Sequence, residues 1–96
     1  MLSSKQRAYL RSIAHELDPV FQVGKAGLTT ELKEQLDDVL EARELIKVNV
    51  LKNCLDDPRQ LADEAAGWLD ASVVQSIGRK FLLYRPSEEE PQIELP

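Results

Sequence analysis

The order of patterns along this 96-residue chain predicts an α/β fold: a compact single domain of order α-β-α-β-α-β-β, with a four-stranded mixed sheet packed with three helices. Three observations predict it. After an initial helical stretch, runs rich in β-formers alternate twice with stretches of helical periodicity, the pattern of parallel crossovers. The last two β-forming runs are separated only by Gly78-Arg79-Lys80, which reads as the turn of an antiparallel hairpin. Capping residues and prolines stand where the periodicity changes.

The first helix starts near Ser4, where Ser3 and Gln6 have the spacing of a capping box. Leu10, Ile13, Ala14 and Leu17 form its apolar stripe, and Arg7, Arg11 and His15 form a second stripe beside it. Asp18-Pro19 ends it, because a residue before proline is pushed out of the helical region. Val20 to Val23 is a short strand, and Gly24-Lys25-Ala26-Gly27 is a tight loop. Thr29 or Thr30 caps the second helix, and Glu31 suits its positive end. Leu32, Leu36, Val39 and Leu40 make its buried stripe. Its other faces carry Glu31, Glu34, Asp37, Asp38, Glu41 and Glu44, with Lys33 and Arg43 among them, and read as solvated.

Leu45 to Leu51 alternates as a half-buried strand does. Asp57 and Pro58 open the third helix as cap and first helical residue, with Gln60 in box position. Leu61, Ala62, Ala65 and Leu69 form its apolar face, and Trp68 at the edge of that face reads as core. Val73–Ile77 and Phe81–Tyr84 are the closing strands, with Phe21 and Phe81 assigned to the core and Tyr84 left undecided. Residues from Ser87 onward are acidic and proline-bearing and read as a loose tail.

Composition removes several function classes. No apolar run approaches the ~20 residues of a membrane helix. The first residues are polar and lack the apolar stretch of a signal peptide, so the expected location is the cytoplasm. One cysteine, Cys54, and one histidine, His15, make neither an internal disulfide nor a four-ligand zinc site. His15 has no serine or thiol nucleophile marked out beside it, so a catalytic base is not expected. The expectation is a non-enzyme with no cofactor and no metal.

The net charge of −5 hides a segregation. Residues 1–30 carry four basic residues against two acids, and 75–86 carry three with no acid. Residues 31–74 carry five against eleven, and the tail adds four acids. A bipolar chain of this kind presents a basic face despite its acidic total.

The loop Gly24-Lys25-Ala26-Gly27 holds the most chemistry. Its glycines allow a sharp turn and a close backbone approach. It opens a helix N-terminus, where free amides and the dipole attract phosphate, and Lys25 adds a point charge. A Gly-x-x-Gly loop clamps single-stranded RNA by this physics in the KH fold. The same four residues also fit a purely structural turn. They are neither a dinucleotide fingerprint nor a nucleoside-triphosphate loop.

Four segments occur together with this loop at fixed order: Leu2–Arg7, Pro19–Thr29, Glu44–Val48 and Gln75–Pro86. The combination closely resembles the CRM domain family (chloroplast RNA splicing and ribosome maturation) in its stand-alone bacterial, YhbY-like form, over roughly residues 2 to 86. The resemblance implies a fold related to the C-terminal domain of a bacterial translation initiation factor. It also implies RNA contact at Gly24, Lys25, Ala26 and Gly27. Flanking basic residues are expected to help: Lys5, Arg7 and Arg11 on the first helix, and Arg79 and Lys80 at the last turn. Lys47 and Arg85 match the family pattern as well, in a contact or a structural role. Many RNA-binding members are basic; this chain departs from them through its acidic middle and tail.

Residues 1–86 are then read as the CRM-like RNA-binding domain and 87–96 as an acidic tail expected to be flexible. Bacterial members of the family associate with precursors of the large ribosomal subunit, so the partners implied are ribosomal RNA and those particles, with ribosomal proteins as neighbours. No membrane is involved, and a monomer is expected. The alternative is a protein–protein adaptor that docks its acidic second helix on a basic ribosomal protein.

Overall fold

The computed structural model describes residues 2–96. Its elements are α1 (Ser4–Ala14), β1 (Phe21–Val23), α2 (Thr30–Arg43), β2 (Leu45–Val50), α3 (Pro58–Leu69), β3 (Ser72–Ile77) and β4 (Lys80–Tyr84). The order of elements is the one the sequence predicts. Both halves of the Ser3–Gln6 capping box form, and Thr29 caps α2 by accepting the Leu32 amide at 3.1 Å. Asp57 stands at the N-cap of α3, but its side chain makes no cap hydrogen bond, and Pro58 alone marks the start. The helical stripe through Leu17 overruns α1, which ends at Ala14 in a turn closed by the Leu17 amide on the Ala14 carbonyl.

The sheet has the order β1-β2-β4-β3. β1 and β2 run parallel, and β4 pairs antiparallel with both β2 and β3. The hairpin therefore inserts its second strand between β2 and β3, which makes the sheet mixed.

Period-two alternation splits the core into two layers. Val23, Ile46, Val48, Val50, Phe81 and Leu83 face α2 and α3 and pack on Leu36, Leu40, Leu61, Ala62, Ala65 and Leu69. Leu45, Leu82 and Tyr84 face the other way and pack with Val74 on Leu10 and Ala14 of α1. Tyr84 is thereby core; burial pushes its hydroxyl pKa up, as does the nearby Glu44 carboxylate. Val73 and Val74 serve opposite layers by ordinary alternation, and the bulge between Val73 and Gln75 sets Gln75 opposite Leu82.

Three expectations change. Trp68 is not core: it is 50% exposed, with Lys33 Nζ 5.6 Å from its ring centroid. Leu69 and Ala65 already fill the buried stripe, so the ring stays outside. Glu44 is not on a solvated face. It is only 2% exposed, with a backbone φ of +68°. Its carboxylate accepts the amides of Ser87, Gln92 and Ile93 at 2.7–2.9 Å. Burial pushes the Glu44 carboxyl up, but the three amides more than offset this and hold it below the usual value. Composition predicts a loose segment after Ser87, yet the structure folds it back on the body. Glu41 accepts from the Ser87 hydroxyl and the Glu88 amide, and Ile93 and Leu95 pack against the α1 layer. Among the described residues, no helix is long and apolar enough to cross a membrane.

Candidate nucleic-acid interface

The carboxyl ends of β1 and β2 coincide, because Val23 pairs with Val50. The loops that follow them therefore lie side by side. The first is a turn closed by the Gly27 amide on the Gly24 carbonyl at 3.0 Å, with Lys25 and Ala26 exposed at its apex. Gly27 is buried at φ +69°, the left-handed region, and a Cβ there would lie 3.1 Å from Asp56 Oδ2. Glycine is the residue that fits. A Cβ on Gly24 would make only ordinary contact, 3.7 Å from Asn53 Oδ1 and Leu51 Cδ1. The turn reaches the N-terminus of α2 through Leu28 and the cap Thr29.

The second loop starts where the Leu51 amide donates to the Val23 carbonyl at 2.8 Å. It carries exposed Lys52 and Asn53, and Leu55 at 96% exposure. Sequence reasoning missed Lys52. The parallel register of β1 and β2 is the signal that places it beside the first loop.

The hairpin closes the group. The Arg79 guanidinium donates to three carbonyls at the end of β2 and in the second loop: Val50 (2.9 Å), Leu51 (2.5 Å) and Cys54 (3.3 Å). Its donors serve the protein's own backbone, so Arg79 positions the loop where the sequence suggests an RNA contact. Arg85 is likewise structural, bonding Asp37 and the Leu69 carbonyl.

The other sequence candidates divide. Arg11 and Lys80 meet across a groove on the α1 side of the sheet, joined by His15, Lys47 and Gln75. Arg7 faces a different recess, with Arg59, Asp63 and β3. Lys5 lies exposed on the first turn of α1 and lines neither recess. Among the described residues, Lys25, Lys52, Lys80, Lys47 and Arg11 form no ion pair. The exposed acids Glu31, Glu34, Asp38 and Glu64 belong to α2 and α3, which pack on the opposite side of the sheet from α1. Acids also stand just after α1, at Glu16 and Asp18, and in the second loop, at Asp56 and Asp57, so the sheet biases the two charges without separating them. Among the described residues, no group of three or more His, Cys, Asp or Glu side chains is placed to hold a metal ion.

Comparison with known proteins bears on the fold and the family. The CRS1 / YhbY (CRM) domain model matches residues 2–85. YqeI of Bacillus subtilis, named a probable RNA-binding protein, is 48% identical over 96 residues, the full length of both chains. An RNA-binding protein of Haemophilus influenzae is 38% identical over 95 residues, covering 99% of this chain and 95% of its own. The solution structure of the hypothetical protein SAV1595 from Staphylococcus aureus superposes over the whole of both chains with a TM-score of 0.83 and 49% identity. The element order, the mixed four-stranded sheet and the match over nearly the entire chain lead to one conclusion: the chain belongs to the CRS1 / YhbY (CRM) domain family.

Proposed function

We propose that this chain binds RNA at the loop end of its sheet, and that the target is ribosomal RNA in precursors of the large subunit, whose assembly it assists. The observation that carries the reading is the Gly24–Gly27 turn. It holds an exposed Lys25 at the entrance to α2, next to the exposed Lys52 of the adjacent loop. Loop amides and the first amides of α2 would hold a phosphate, with Lys25 as the ionic partner. Lys52, Lys80 and Arg11 add attraction from the same side, and the acids of α2 repel the RNA backbone from the other. The relatives named as RNA-binding proteins support the class of ligand. The large-subunit target comes from the family resemblance.

The action is passive: phosphate contacts position the protein, and no bond in the RNA is made or broken. Neither cofactor nor metal is required, and a monomer suffices. The test is fluorescence anisotropy with large-subunit ribosomal RNA fragments across a salt series, for wild type and Lys25→Glu. Steep weakening with salt and loss of most affinity in the variant support the reading. Two proteins that ignore RNA, or bind it equally, overturn it.

The half-exposed Trp68 among the acids of α2 and α3 favours a second reading, an adaptor for a basic ribosomal protein. That reading predicts that charge reversal on α2, and not at Lys25, abolishes association with the precursor.

A further inference from the structure

α1 covers only part of its side of the sheet. It packs on Leu45, Val74, Leu82 and Tyr84, toward the end of the sheet away from the loops. Strand register defines what lies beyond. Gln22 pairs with Asn49, Asn49 with Lys80, and Lys80 with Ile77. Directly paired residues share a face, so these four form one row across the full width of the sheet, about 14 Å at the usual strand spacing. Lys47, Leu82 and Gln75 form the next row, at the edge of α1. Gln22, Lys80 and Ile77 are exposed and Asn49 is half-buried, so the outer row is open to solvent. It begins two residues before Gly24 and is continuous with the loop.

The chemistry of the row narrows its occupant. Its charged member is a lysine, which suits a polyanion. Gln22 and Asn49 each donate and accept hydrogen bonds. The aromatic rings of the sheet cannot stack on nucleobases, because Phe21 and Phe81 face α2 and α3 and Tyr84 lies under α1. Carboxamides that both donate and accept match nucleobase edges and the ribose 2′-hydroxyl. A paired RNA helix still shows 2′-hydroxyls in its shallow minor groove, but its Watson–Crick edges are taken up by pairing; an unpaired strand offers both to the same row.

We infer that the row Gln22-Asn49-Lys80 receives an unpaired RNA segment leaving the Gly24–Gly27 loop, and that its two carboxamides distinguish ribose from deoxyribose. The inference rests on the proposed binding of RNA at this end of the sheet and adds to it the strand path and the source of selectivity. Lys80 and Lys47 attract the backbone, and Gln22 and Asn49 read what the phosphates do not.

The experiment is a set of anisotropy titrations with three labelled probes: a short mixed-sequence ribo-oligonucleotide, its deoxy counterpart and a fully paired RNA duplex. Wild type, Gln22→Ala, Gln22→Ala/Asn49→Ala and Lys25→Glu are compared, with folding checked by circular dichroism. Wild type is expected to favour the unpaired ribo-oligonucleotide. The double variant is expected to bind it about tenfold more weakly, with the ribose preference lost and the salt slope unchanged. Gln22→Ala alone, at an exposed position, gives part of that loss even if the double variant is unstable. If the carboxamide variants bind as wild type while Lys25→Glu fails to bind, the strand path is overturned and the loop reading stands. If the duplex binds as tightly as the unpaired strand, the path is overturned too. If no variant changes binding, both readings fall.

Discussion

Arg79 and Val50 bond each other twice: the Val50 amide donates to the Arg79 carbonyl at 2.6 Å, and Arg79 Nε–H donates to the Val50 carbonyl at 2.9 Å. The same guanidinium continues to Leu51 and Cys54, so one side chain ties the hairpin to the loop that flanks Gly24–Gly27. A residue that the sequence offers as an RNA ligand is here a strut.

Replacing that strut has a calculable effect. Hydrogen bonds to charged groups contribute about 1.5–3 kcal/mol each, and a half-buried site recovers some of this from water. Arg79→Ala is expected to lose about 2–3 kcal/mol in urea denaturation. Arg79→Lys, with no planar fork to span three carbonyls, recovers little. A variant of full stability that loses RNA affinity would instead make Arg79 a direct ligand.

The two loop glycines are expected to differ. Gly27→Ala places a Cβ at φ +69° and against Asp56, and costs about 1–2 kcal/mol. Gly24 has room for a Cβ, and Gly24→Ala changes stability by no more than about 0.5 kcal/mol. Thermal denaturation of the two variants side by side checks this order.

Acid releases the tail. The amides of Ser87, Gln92 and Ile93 hold the Glu44 carboxyl below its ordinary value, and the Ser87 hydroxyl with the Glu88 amide does the same for Glu41. A carboxyl depressed in the folded state contributes stability that is complete above its unfolded value. That contribution is lost as pH falls through the folded value. Hydrogen-exchange protection at the Ser87, Gln92 and Ile93 amides, taken relative to the intrinsic rate at each pH, is therefore expected to fall below the ordinary glutamate value of 4.5 and to hold above it. Glu44→Ala, which removes both acceptor oxygens, is expected to release the same three amides at neutral pH.

Charge reversals on the two sides of the sheet are expected to act oppositely. Lys52→Glu weakens RNA binding and reduces the salt slope by about 1, the signature of a lost phosphate contact. Glu34→Lys, on the acidic side, leaves affinity unchanged or raises it. Salt-dependent titrations of both variants decide the matter.

The sequence makes much of this fold legible because local signals agree. The Ser3–Gln6 box, Thr29 and Pro58 mark the three helix starts, and alternation separates the two sides of β2. What it hides depends on long-range pairing. Nothing local says that β4 inserts between β2 and β3, so neither the Arg79 strut nor the row from Gln22 to Ile77 can be read from the chain. Nor does an acidic helix end announce that Glu44 turns inward to collect amides from residues more than forty positions away. The tail looks loose by composition because its anchor lies in α2 and its apolar residues, Ile93 and Leu95, find their partners on α1.

The central claim, that RNA meets the chain at the Gly24–Gly27 turn, is tested most directly by amide chemical-shift mapping with a large-subunit ribosomal RNA fragment. The largest changes are predicted at Gly24 to Thr30 and at Lys52 and Asn53. Changes confined to the exposed faces of α2 and α3, with the turn unmoved, would contradict the account.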